Sequence, residues 1–148
     1  MKYLNRILTY SLIFFSALTF SVYAQKAEHH KKSVALDGYC PVAYHVLKKA
    51  VKGKPEFSSK YDGKTYDFVN AKAKMMFEKN PSKFLPKYSG YCATAMSMGK
   101  KLKSNPKLFT LYKGNTYLFS TKKAKMMFDK DPAMYSAKAD KEFTLLNK

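Results

Sequence analysis

The chain has 148 residues, 46% of them hydrophobic and 26% charged, which suits one compact core. Its 28 basic residues outnumber ten acidic ones, giving a formal charge of +18, and Arg6 is the only arginine. Without the planar arginine fork that reads base edges and phosphates bidentately, specific nucleic-acid binding is excluded as a leading reading; what remains is a lysine-coated surface with weak, salt-sensitive attraction to anionic envelope surfaces.

The N-terminus opens with Lys2 and Arg6, followed by the apolar run "ILTYSLIFFSALTFSV" (Ile7–Val22) and the small-residue pattern "VYA" ending at Ala24. This layout predicts a cleaved signal peptide over residues 1–24 and a periplasmic or secreted location. The run is 16 residues, short of the roughly 20 needed to span a bilayer, so no transmembrane segment is expected after cleavage. Residues 25–36 read as a disordered polar lead.

From there the chain says the same thing twice. "YDGKTYDFVNAKAKMMFEKNPSKFLPKY" (Tyr61–Tyr88) aligns with "YKGNTYLFSTKKAKMMFDKDPAMYSAKA" (Tyr112–Ala139) at a constant shift of 51, and 14 of 28 positions are identical. Upstream, "GYC" occurs at Gly38–Cys40 and at Gly90–Cys92, a shift of 52. The pattern is an internal duplication: copy one over 37–88, copy two over 89–140, and a C-terminal tail over 141–148.

Each copy has the same grammar. Phe57–Tyr61 and Lys64–Val69 flank Asp62-Gly63, a strong hairpin signal, and Lys113-Gly114 takes its place in copy two. Tyr66 and Phe68 share one strand face, as do Tyr117 and Phe119. Asn70 and Thr121 occupy helix N-cap positions, and the helix that follows should stop near Pro81 or Pro132. Within it, Ala73, Met76 and Phe77, and likewise Ala124, Met127 and Phe128, form a stripe at i, i+3, i+4 that packs on the hairpin. Met75 and Met126 point away from that stripe, open to a soft-ligand role or a copy–copy contact. The expected fold is α+β: a tandem pseudo-symmetric repeat, each copy a short β-hairpin followed by an α-helix, packed as one domain.

"GYCPVAY" (Gly38–Tyr44), "PEFSSKYDGKTYDF" (Pro55–Phe68) and "MFEKNPSKFLPKYSGYCA" (Met76–Ala93) together resemble the YHS-domain family, in particular exported bacterial YHS-domain proteins. The resemblance implies a small hairpin-plus-helix unit and a link to heavy metals. The family's metal-type pattern has cysteines just after the second strand, where this chain has Val69, Asn70 and Ala73, or Ser120, Thr121 and Ala124.

Cys40 and Cys92 are the only cysteines and hold equivalent places. If the copies pack about a pseudo-twofold axis, the two sulfurs approach each other at the seam. Three readings stay open. An exported chain with an even cysteine count favours a Cys40–Cys92 disulfide, a staple worth about 4 kcal/mol in the chain-entropy model, on a binding or interaction module without metal. Alternatively, Cys40 and Cys92 with His45, Met96 and Met98 offer thiolate, imidazole and thioether donors for a soft ion, copper or zinc, at the copy–copy interface. The third reading is a thiol-dependent redox protein, but no Cys-x-x-Cys motif or spaced Cys/His pair supports it. No Ser/His/Asp set, paired carboxylates or phosphate-cradling glycine loop is present, so the composition points away from an enzyme. Tyr39, Tyr44 and Tyr91, each with an apolar ring and a polar tip, are expected to rim a small pocket for the metal ion or a small ligand.

Overall fold

The computed structural model describes residues 34–148, which form one compact unit. The expected signal peptide and residues 25–33 of the polar lead lie outside the described residues. Val34–Leu36, also assigned to that lead, belong to the fold: Val34 bridges Thr65, and Ala35–Gly38 is a short helical turn.

Copy one contributes α1 (Pro41–Val46), a hairpin of β1 (Lys54–Tyr61) and β2 (Lys64–Phe68), α2 (Ala71–Lys79) and α3 (Pro81–Phe84). The turn Lys87–Gly90 is the counterpart of Ala35–Gly38, so in the fold each copy begins two residues ahead of the expected bounds at 37 and 89; copy two continues with α4 (Ala93–Met96), a hairpin of β3 (Asn105–Tyr112) and β4 (Asn115–Phe119), α5 (Lys122–Lys130) and α6 (Pro132–Leu145). The architecture is therefore α+β, with two antiparallel hairpins and the hairpin-then-helix order expected from the repeat.

The duplication holds down to single interactions. Asp62 and Gly63 both have positive φ, as do Lys113 and Gly114, the twist of a type I′ turn that matches the right-handed twist of the strands. Each hairpin carries its register shift at the same place, between Lys54 and Ser58 and between Asn105 and Phe109. The Asn70 side chain accepts from the Ala73 N–H at 2.9 Å, and Thr121 Oγ1 from Ala124 at 3.1 Å. Asn80 and Asp131 cap the next helices, which start at Pro81 and Pro132. Ser59 donates to Glu78 at 2.8 Å where Thr110 donates to Asp129 at 2.6 Å.

The pentapeptide does the expected packing work. Phe77 lies 5.2 Å from the Tyr66 ring and 5.0 Å from Phe68; Phe128 lies 4.8 Å from Tyr117 and 5.1 Å from Phe119. Met76 is half-buried against the copy-one core, and Met127 is half-buried. Met75 and Met126 are 62% and 64% exposed, so neither makes a copy–copy contact.

The copies are not related by a twofold axis. Copy one docks through Tyr39, Tyr44 and Leu36 onto the outer face of copy two's hairpin, at Phe109, Leu111 and Leu118. At the equivalent place in copy two, Met96 and Tyr88 stand where copy one has Tyr44 and Leu36. They are covered instead by Ala139 and Phe143 of α6. The Tyr88 hydroxyl also donates to the Ser136 carbonyl at 3.2 Å and to Asp140 at 3.1 Å. This is a head-to-tail relation, with α6 closing the end that a third copy would occupy. It also corrects the expected tail: residues 141–145 are the last turn and a half of α6.

Candidate functional site

Strand alternation explains why copy one can dock on copy two and not the reverse. In copy two, Phe109 pairs with Leu118 and Leu111 with Thr116, and one face of the ribbon carries all four. In copy one the same face carries Ser58, Asp67, Lys60 and Thr65. The apolar version receives a neighbour. The polar version is unsuited to one.

Two side chains of α1 hold the seam. Tyr44 is fully buried, its ring 4.8 Å from Phe109 and its hydroxyl donating to the Pro106 carbonyl at 2.8 Å. His45 is half-buried, with Nε2 2.8 Å from Thr116 Oγ1 and its ring edge-on to Phe84 at 5.6 Å. Burial first, then the nearby charges of Lys48 and Lys83, push the His45 pKa below the usual imidazole value.

The head-to-tail relation also decides the fate of the sulfurs. With no twofold axis, equivalent residues do not converge. Cys40 and Cys92 are free, fully buried, and each belongs to the core of its own copy. The expected disulfide is therefore corrected. Each cysteine precedes a helix, and its N–H donates at 2.9 Å to a carbonyl in the following loop, Val51 for Cys40 and Leu102 for Cys92. Burial pushes the Cys40 thiol pKa up, away from the low value a nucleophile needs. Cys92 Sγ accepts from Ser120 Oγ at 3.4 Å.

The expected metal set is likewise not assembled. Met96 shares the core of Cys92, Met98 is 59% exposed, and His45 is engaged with Thr116. Among the described residues no three His, Cys, Asp or Glu side chains are grouped to hold an ion. Of the expected pocket-rim tyrosines, Tyr39 and Tyr44 are seam core, and Tyr91 alone stands at a cleft.

That cleft is the open feature of the seam. Leu36 and Asp37, and equivalently Tyr88 and Ser89, sit in the left-handed region with φ of 55°, 49°, 57° and 54°. Each such non-glycine residue costs about 1–2 kcal/mol, and each turn ends in a glycine, Gly38 or Gly90, that tolerates the same region. Between them lie two adjoining clefts of about 260 and 180 Å³ that share Leu36 and Ser89. The larger adds Asp62, Lys64 and Tyr66; the smaller adds Asp37, Tyr91 and Lys103. Lys103 and Asp37 pair across the seam at 2.9 Å, both substantially exposed. Lys52 Nζ also donates to the Asp37 carbonyl.

Sequence reasoning did not find Asp37, Ser89, Thr116 or Lys103. The usable signal was the difference between copies: "TYDF" against "TYLF" marks Leu118 as a docking residue. No family model, curated protein or solved structure matches the chain. Among the described residues no helix is long and apolar enough to cross a membrane.

Proposed function

We propose that this protein is an exported, non-enzymatic binding module that holds a small polar ligand in the seam clefts between its two copies. The observation that carries the reading is the convergence of two left-handed turns, one from each copy, on clefts sharing Leu36 and Ser89. Backbone strain is retained where the surroundings over-determine it, and it concentrates at binding sites. The Asp37–Lys103 pair adds an exposed acceptor and donor at the cleft, so a ligand with both kinds of group can exchange with it. Export rests on the N-terminal layout. The absence of catalytic motifs in the sequence and the raised pKa of the Cys40 thiol argue against the thiol-enzyme reading. The donor set does not fit the soft-metal reading, because its sulfurs and imidazole are held in separate surroundings.

The test is amide-resolved NMR of the full chain titrated with small hydroxy acids, amino acids and sugars, beside metal analysis of the purified protein. Saturable shifts at Leu36–Tyr39, Ser89–Tyr91 and Lys103, lost in K103A, are expected. Stoichiometric copper or zinc that disappears in C40S or C92S would overturn the reading. So would saturable shifts confined to other surfaces.

A further inference from the structure

Away from the seam, copy one carries an apolar groove. It is about 160 Å³, lies between α1 and the start of α2, and is lined mainly by Val42, Val46, Leu47, Val69, Ala73 and Met76. Val46 and Leu47 are 54% and 47% exposed. The repeat supplies an internal control. Where copy one has Val42 and Val69, copy two has Thr94 and Ser120. Thr94 ties α4 to α5 by donating to the Ala124 carbonyl at 2.7 Å, and Ser120 donates to Cys92. The same backbone plan therefore folds with polar residues at these two positions.

The groove's size matches the roughly 150 Å³ apolar cavities that take one benzene-sized molecule. That is room for one chain end and too little for a lipid with two tails. Exposed Lys72 lines the groove, and exposed Lys48 and Lys49 follow Leu47 directly, so cationic groups border its apolar floor. We infer that this groove binds the hydrocarbon end of a free, single-chain anionic amphiphile, a medium-chain carboxylate, with lysine at the mouth meeting the carboxylate.

The experiment titrates octanoate, below its micellar concentration, into the full chain, with octanol and anionic phospholipid vesicles as parallel arms. Amide shifts are followed in each arm. Saturable octanoate shifts at Val42–Leu47 and Val69–Met76 are expected. Octanol should bind about three- to five-fold more weakly, the size of a partly exposed ion pair. V46S should weaken octanoate about ten-fold or more, by loss of apolar contact. Val46 is more than half exposed, so this variant keeps the fold, and its amide spectrum verifies that. L47S is a second such variant. Shifts spread over the lysine surface without saturation would overturn the inference. So would equal binding in V46S and L47S, or binding to vesicles alone. Groove access gained only when residues 1–24 are removed would also overturn it, by assigning the groove to the chain's own apolar run.

Discussion

The hydroxyl of Tyr44 donates to the carbonyl of Pro106 at 2.8 Å, across 62 residues of sequence and from inside the core that both copies build. It is the point at which copy one is keyed to copy two. Tyr44→Phe keeps the ring against Phe109 and removes only the donor, leaving a buried carbonyl short of a partner. The expected loss is about 1–2 kcal/mol of stability, read by urea denaturation with an unchanged m-value. A change below the experimental error would mean that the seam is held by ring packing alone.

His45 makes the seam sensitive to acid. Its pKa is lowered in the folded state by burial and by Lys48 and Lys83. The unfolded chain therefore takes up the proton first as pH falls. The stability due to neutral His45 is complete above the usual imidazole pKa, about 6.5, and is lost as pH falls through the lower folded value. Unfolding midpoints at pH 7.5 and pH 5 should differ in that direction, and His45→Gln should flatten the difference. An imidazole titrating by NMR above the usual value would contradict the packing described.

Gly53 has no room for a side chain. A Cβ there would lie 2.3 Å from the Asp67 carbonyl carbon and 2.5 Å from its oxygen, both backbone atoms. Copy two has Ser104 at the equivalent position, and its hydroxyl donates to the Gly90 carbonyl at 2.5 Å. Gly53→Ala should cost about 3 kcal/mol or more, measured by thermal or urea unfolding. Met75→Ala, at a 62% exposed site, should stay within about 0.5 kcal/mol of the parent.

Both thiols should be silent in the native protein. Cys40 and Cys92 are fully buried and unpaired with each other. A thiol reagent should modify neither on the timescale of mixing and both once the chain is unfolded. Intact mass should show two reduced cysteines after purification under air. A mass two units lower, from a Cys40–Cys92 bridge, would require the copies to pack differently.

The duplication, both hairpins, the helix starts at Asn70 and Thr121 and the core stripes of "AKMMF" were all legible in the amino-acid sequence. The forces that set them act within a few residues. A turn needs two positive φ angles, a cap needs an oxygen three residues before an N–H, and an apolar stripe needs only helical spacing. How the copies meet was not legible in the same way. Equivalent sequences suggested equivalent surfaces and a shared axis. The tertiary structure used their differences instead, Leu118 against Asp67, Phe109 against Ser58 and Leu111 against Lys60, to make one hairpin face a receiver. Packing compares whole surfaces across long separations in sequence, so three substitutions on one face outweighed fourteen identities elsewhere and sent the two cysteines into separate cores.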